Sequence, residues 1–515
     1  MFDELFLYDI KELQFFFKNN KNVIAYGNGS FYKKIKNVLE QFNFKFDDVL
    51  YTKDNNIVSV SGRNYEDIVK NSSILICSTF SEEITDLIKS QKIYPKDIKI
   101  LSLQDGKTNI EEYKKELNKI IQIKHIKLLQ DLKNKHRIRV VFFVLLKSIW
   151  KVDSIFRKMQ EDQFFEPLIL IIPHTPYGEE RMWEDMNEAY NYFKNKKYPV
   201  IYSYNKNEQR WLKLEEIKPD IIFFTLPHNV TIEEYYENSY FNYLSCYAGY
   251  GISTVSYNND QPQYNLLFHN LMYKIFVQNN DMLQKYLSLS YLKKNNLHLV
   301  IDNTIEVLKD YTKNNLSNFK KIIWAPHHTI LDNDPLKLST FIKFSGYFRN
   351  IIEQKKFNIF LIFKPHPELK AKLYLHPKWG KEKTDEYYEF WIKNSNSSLE
   401  EGEYIELFQE SDAMILDSAS FLAEYLFIEK PMLFLTRPET KTYLNEFGTS
   451  CIKCISTADN PLCIDKFIRD IIKNQYKIKN EQLNFIDNYY KNLGENNTSQ
   501  YILDIFKNEI RGKLE

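Results

Sequence analysis

At 515 residues the chain is long enough for two to four domains, and with 43% hydrophobic and 15% aromatic residues it can fill large cores. Its 69 basic residues against 68 acidic ones leave a net charge of +1, which argues against a general nucleic-acid binder, since backbone phosphates call for a basic excess. Five scattered cysteines (Cys77, Cys246, Cys451, Cys454 and Cys463) exclude a disulfide framework, and the Cys451/Cys454 pair lacks the second pair or nearby His that would complete a zinc site.

The opening stretch MFDELFLYDI has no basic segment leading into an apolar one, so no signal peptide is expected. No apolar run approaches the ~20 residues of a membrane span; the longest, residues 140–146, has the length of a strand. The expected location is the cytoplasm. Residues 1–108 are expected to form a small Rossmann-like accessory domain, with strands at 22–26, 48–52, 74–78 and 98–103 and helices at 31–42 and 81–90. The Gly27-Asn28-Gly29-Ser30 turn is only a partial dinucleotide fingerprint, because Tyr32 stands where the third Gly would be. Tight-turn chemistry is therefore expected there in preference to NAD binding. Residues 109–136 are Lys-rich with apolar residues at three- and four-residue spacing, a helical connector. Its charged face reads as solvated, with peripheral contact at anionic headgroups of the inner membrane as the alternative.

Residues 137–318 are expected to be an α/β domain. Strands are predicted at 139–145, 167–172, 199–202, 221–225 and 254–257, and helices at 149–160, 181–195 and 268–276. His174-Thr175-Pro176-Tyr177-Gly178 directly follows one of these strands. A second α/β domain is expected over 319–480. Its strand 321–325 runs into Pro326-His327-His328-Thr329, and strand 360–364, ending in Lys364, runs into Pro365-His366-Pro367. SDAMILDSASFLAEYLFIEKPMLFL, residues 411–435, then reads as a buried strand (413–416), a polar turn (Asp417-Ser418-Ala419-Ser420), an amphipathic helix (421–427) and a second buried strand (432–435). Residues 481–515 are predicted to be a helical tail, able to pack back across the other domain.

The chemistry gathers at the carboxyl ends of these strands, the edge where open α/β sheets bind ligands. Ser418 and Ser420 stand where a helix begins, and free N–H groups and the helix dipole favour an anion there. Glu424, one turn on, projects from the same face, where a carboxylate can accept the hydroxyls of a ribose. The pairing suggests a nucleotide-diphosphate donor; an ordinary N-capped helix is the alternative. Four of the ten histidines (His174, His327, His328 and His366) follow a strand directly, and His228 ends another. His366 and Lys364 can meet phosphate charge, and His174, from the other domain, can serve as base when the cleft closes. No HExxH or HxH is present, and adjacent His327 and His328 are expected to diverge on an extended chain. No metal or cofactor is therefore expected.

Over residues 137–480 these features resemble the CDP-glycerol glycerophosphotransferase family, the teichoic-acid polymerase-like group of GT-B enzymes, in its capsule- and lipopolysaccharide-locus form. RVVFFVLLKSIWKVDSIFRKMQEDQFFEPLILIIPH resembles the opening of the N-terminal half. IIWAPHHT resembles a YAPTWR-like motif, FKPHP the RPHP motif, and LDSASFLAEYL a DYSSxxFD-like motif. The resemblance implies a GT-B-like pair of Rossmann-like domains, acceptor side at 137–318 and nucleotide donor side at 319–480. It implies donor-site roles for Asp417, Ser420 and Glu424 and a donor-phosphate role for His366; the reading of the residues themselves adds His327, Lys364 and Ser418 to the donor side and gives His174, His366 and His328 as the catalytic candidates. The implied reaction moves a polyol phosphate from a CDP-linked donor to a hydroxyl of a capsule or lipopolysaccharide glycan and releases CMP. The WHG motif, whose His is implied to be the base in better-known polymerases, is absent: CYAGYGIST has Tyr250 and Gly251 there. The base is left open among His174, His269 and His328, with His174 preferred. A nucleotide-sugar glycosyltransferase, a phosphoramidate or other phosphoryl transferase, and a non-catalytic scaffold stay open as alternatives.

Overall fold

The computed structural model describes the chain apart from residues 1–9, 55, 79, 92–93, 101–106, 310–318, 403, 494–497 and 513–515. Three helix-flanked sheets follow one another along it. Inner strands such as Ile221–Phe224 (IIFF) and Ala413–Leu416 (AMIL) are buried at every residue, as a parallel sheet covered on both faces requires.

The first sheet has the order Asn56–Ser59, Asp48–Lys53, Val23–Tyr26, Ser73–Ile76, Ile98–Ile100. Only its Asn56–Ser59 edge is antiparallel, a strand the sequence reading missed. The predicted end of the last strand, residues 101–103, lies outside the described residues. Gly27 has φ +115°, and a Cβ there would lie 2.6 Å from the carbonyl oxygen of Cys77. The glycine turn is thus required by the neighbouring strand's loop, whatever binds there.

The second sheet runs Leu297–Leu299, Lys274–Val277, Leu244–Ala248, Ile221–Phe224, Ile138–Val144, Phe165–Ile171, Val200–Tyr202. The third runs Ser397–Leu399, Ile359–Phe363, Lys320–Ala325, Ala413–Leu416, Met432–Leu435, Ser456–Ala458. All pairings in both are parallel. Each chain path starts on an inner strand, runs outward, then returns to the other side. The switch points lie between Ile138–Val144 and Ile221–Phe224, and between Lys320–Ala325 and Ala413–Leu416, and these are where such sheets open a ligand crevice.

Two predicted elements are corrected. Residues 254–257 form no strand; Val255 makes a single antiparallel bridge with Leu444, and the preceding strand is Leu244–Ala248. Residues 268–276 divide into a helical turn, Leu267–Asn270, and the strand Lys274–Val277, because a short apolar run fits either period. The helix predicted from residue 149 begins at Asp153, whose carboxylate accepts the Trp150 indole N–H at 2.8 Å.

The helix Lys107–Leu132 joins the first two sheets, and its Leu117 and Ile121 enter a core with Leu13, Val23 and Val141. The helix Thr498–Arg511 packs Ile502, Phe506 and Ile510 into the core of the second sheet, Phe506 lying 5.8 Å from Phe223 between ring centroids. The chain end thus crosses back from the third sheet to the second. The two larger units form a GT-B-like pair of Rossmann-like domains, with a smaller Rossmann-like unit before them. Among the described residues no helix is long and apolar enough to cross a membrane.

Candidate active site

The PHHT and KPHP loops leave adjacent parallel strands, so they lie side by side, tied by the His366 N–H donating to Pro326 O at 3.1 Å. The expected divergence of His327 and His328 is corrected. Their ring centroids are 4.3 Å apart, and His366 lies 4.2 Å from His328 and 5.3 Å from His327. The chain turns after Pro326, with Ile330 N–H donating to His328 O at 2.9 Å, so the two rings no longer alternate as on a strand. One ring nitrogen from each of the three comes within 4.8 Å of the others, a spacing that also suits a metal ion. Burial, reinforced by neighbouring imidazoles and by Lys372, pushes all three pKa values down, His328 to about 2, so the rings are neutral at physiological pH.

Asp417 supports this cluster from beneath. It is fully buried and accepts the backbone N–H groups of His327 and Thr340 and, at 2.6 Å, the Thr340 hydroxyl. Burial lifts its carboxyl to about 6 against those bonds. It therefore anchors the PHHT loop and offers no surface to a ligand, which replaces direct donor contact as its reading. Lys364 is also buried, and its ammonium donates to Gly402 O at 2.9 Å. The helix Ala419–Leu426 begins earlier than predicted, after Ser418, whose side chain makes no cap bond. Half-buried Ser420 lies in its first turn.

Glu424 is 1% exposed. It accepts the Tyr404 hydroxyl, which also meets the Lys151 ammonium arriving from the second sheet's domain. Its Oε1 lies 3.7 Å from where a Cβ on Gly251 would stand. Burial raises its pKa to about 7. The carboxylate sits in the seam between the domains, closed to any ligand while that seam is shut. Tyr404 and Lys151 carried no signal in the sequence, since neither follows a strand.

The facing wall comes from the second sheet. His174, 8% exposed, follows Phe165–Ile171, and its Nδ1 lies 3.7 Å from Asp185 Oδ2. Arg181 Nε holds the other Asp185 oxygen at 2.9 Å. Tyr177 donates its hydroxyl across the cleft to Glu368 Oε1 at 2.9 Å, and Glu368 Oε2 lies 3.1 Å from His328 Nδ1. Glu368, missed in the sequence, links the two walls; its one signal is its place two residues after His366. His269 is fully buried among Tyr247, Phe268 and Tyr286, which removes it from the candidate bases. Tyr250, in the CYAGYGIST segment, is 42% exposed.

No family model matches the chain, and no curated protein sequence matches it. Solved structures do. S. aureus MnaA in a UDP co-structure is 14% identical, over 74% of this chain and 98% of that one, with a TM-score of 0.47. The wall teichoic acid polymerase TagF is 14% identical, over 78% and 98%, also at 0.47. UDP-GlcNAc 2-epimerase from Neisseria meningitidis, bound to UDP-GlcNAc, is 13% identical, over 72% and 99%, at 0.41. These are distant likenesses and assign no activity to the site.

Chemically, the cleft opposes two kinds of surface. One presents neutral imidazoles beside a helix start, suited to phosphoryl oxygens. The other presents an imidazole backed by a carboxylate, suited to accepting a proton.

Proposed function

We propose that the protein transfers a polyol-phosphate group from a CDP-linked donor to a hydroxyl of a capsule or lipopolysaccharide glycan, releasing CMP. The observation that carries this reading is that the His327-His328-His366 cluster faces a single histidine, His174, across one interdomain cleft, with Tyr177 packed against His174 at 5.4 Å between ring centroids and donating to Glu368. In the proposed step an acceptor oxygen attacks the polyol-bearing phosphorus. The bond from that phosphorus to the bridging oxygen breaks, and CMP leaves with the electron pair. His174 takes the hydroxyl proton. The remaining imidazoles and the N–H groups around Ser418 and Ser420 stabilise the charge growing on CMP. Glu424 is reserved for the ribose in the open cleft. The resemblance of the PHHT, KPHP and DSAS loops to the glycerophosphotransferase motifs supports cytidine as the base.

A thermal-shift panel of CMP, CDP, CDP-glycerol, UDP and GDP tests this. A ligand at 100 times its Kd adds about 2.7 kcal/mol of stability. The expected result is selective stabilisation by the cytidine nucleotides, lost in His366→Ala. Selective stabilisation by UDP would move the reading to a nucleotide-sugar glycosyltransferase, and no response to any nucleotide would overturn the nucleotide-donor reading.

A further inference from the structure

The three imidazoles of the donor wall have a spacing that suits a cation, but their other contacts give them a different task. Thr329 settles the first ring. Its hydroxyl oxygen accepts the backbone N–H groups of Leu338 (3.2 Å) and Ser339 (3.3 Å), which occupies both lone pairs. Its single hydrogen is left to donate, and His327 Nδ1 lies 2.9 Å away. The backbone N–H of Thr329 approaches the same nitrogen at 3.4 Å. A nitrogen that receives hydrogens carries none, so neutral His327 keeps its proton on Nε2. The second ring follows the same logic: His366 Nδ1 accepts the Glu368 backbone N–H at 3.2 Å, so its proton also sits on Nε2.

The third ring is reversed. His328 Nδ1 is buried and makes no hydrogen bond, and the Glu368 carboxylate approaches it without bonding alignment, Oε2 at 3.1 Å. A nitrogen lone pair held that close to a carboxylate is repelled, so the proton belongs on Nδ1, where a small turn of the ring aligns it, and Nε2 keeps its lone pair. Glu368 therefore sets opposite tautomers in two touching rings, one through its backbone and one through its side chain.

We propose that Thr329 and Glu368 are positioning residues that fix the cluster as two Nε2–H donors (His327 and His366) and one Nε2 acceptor (His328), an array for a phosphoryl group with a hydroxyl beside it and not for a divalent cation. Metal-bound histidines normally donate their second N–H to an oxygen; here two of the three second nitrogens face hydrogens instead, so a cation would have to displace fixed backbone donors. The array gives His328 the lone pair beside the phosphoryl donors, which holds the acceptor hydroxyl by a hydrogen bond while His174 takes its proton. The identity of the phosphoryl group rests on the nucleotide-donor reading, whereas the tautomers do not.

Long-range proton–nitrogen NMR on the full-length, histidine-labelled protein reads each tautomer, with each ring assigned from its single His→Gln variant. The expected pattern is a protonated Nε2 in His327 and His366 and a protonated Nδ1 in His328. Glu368→Gln should disturb the His328 pattern and leave that of His366, whose partner is backbone. Thr329→Val should disturb His327 and weaken inorganic pyrophosphate about tenfold, the scale of one hydrogen bond; Thr329→Ser should restore both. A protonated Nδ1 in His327 or His366 overturns the proposal. So does one zinc retained per chain after dialysis against zinc chloride and lost in His366→Ala. Pyrophosphate that leaves the His327 and His366 Nε2 signals unmoved overturns the phosphoryl assignment. If these signals behave as stated while the nucleotide panel is silent, the donor reading fails and the wiring stands.

Discussion

At the scale of single residues, the cleft is governed by groups whose charged form burial disfavours. Glu424 is the clearest case. Desolvation outweighs the Lys151 charge and the Tyr404 hydroxyl and lifts its pKa to about 7, above the ordinary 4.5. A raised acid favours the protonated form in the fold. Its stabilising effect is full below the ordinary pKa and declines as pH rises from about 4.5 through 7. Glu424→Gln removes this titration while keeping the shape. The variant should match the parent in stability near pH 5 and exceed it at pH 8 by up to about 3 kcal/mol, read as a higher Tm. Thermal unfolding at the two pH values checks this. An equal Tm difference at both would mean that Lys151 neutralises the carboxylate as an ion pair and that the acid does not titrate in this range.

At the scale of elements, the unit that matters is a strand, its loop and the helix that follows. Asp417, at the end of Ala413–Leu416, joins the PHHT loop to the start of the helix Phe341–Glu353 through three hydrogen bonds. Asp417→Ala leaves two N–H groups and a hydroxyl unpaired in a buried place. A loss of about 3–5 kcal/mol is expected in the unfolding of the third-sheet domain, with faster hydrogen exchange at His327 and Thr340. A Tm within a degree or two of the parent would show that these groups find other partners. The same units explain what the sequence made legible. Ile221–Phe224, Ala413–Leu416 and Met432–Leu435 are inner parallel strands and therefore unbroken apolar runs, and a histidine right after such a run lies at the carboxyl edge by construction. Edge strands such as Asn56–Ser59, Ser397–Leu399 and Ser456–Ala458 are partly polar and three or four residues long, too short for a period to show. The groups that fix the histidines, Thr329, Glu368 and Asp417, act through side-chain contacts within and between loops. Such contacts follow no period, so the sequence gives the residue types of the site without its wiring.

At the scale of the whole molecule, the two larger domains are clasped by one loop. Residues 253–256 leave the second-sheet domain and enter the third: Asn445 N–H donates to Thr254 O at 3.1 Å, Asn445 Nδ2 to Ser253 O at 2.8 Å, and Ser256 N–H to Tyr443 O at 2.9 Å. Thr254 Oγ1 donates to Ala419 O at 2.7 Å, at the start of the helix that carries Ser420 and Glu424. Gly448 makes this approach achievable. A Cβ there would stand 2.0 Å from Thr254 O and 2.9 Å from its carbonyl carbon, and backbone on both sides leaves nothing flexible to yield. Gly448→Ala should therefore push the loop out of its seat and hold the domains apart without unfolding either. The expected outcome is a larger radius of gyration in solution scattering, an unchanged circular dichroism spectrum and roughly tenfold weaker cytidine-nucleotide binding, about 1.4 kcal/mol. Gly346→Ala is the matched control. It lies within the helix Phe341–Glu353 with nothing within 4 Å of its added Cβ, so it should leave the dimensions and binding alone and stabilise the chain slightly. If Gly448→Ala keeps both the parent dimensions and the parent affinity, the loop is a passive contact and closure of the cleft must be set elsewhere, with the Lys151–Tyr404–Glu424 seam the next place to cut.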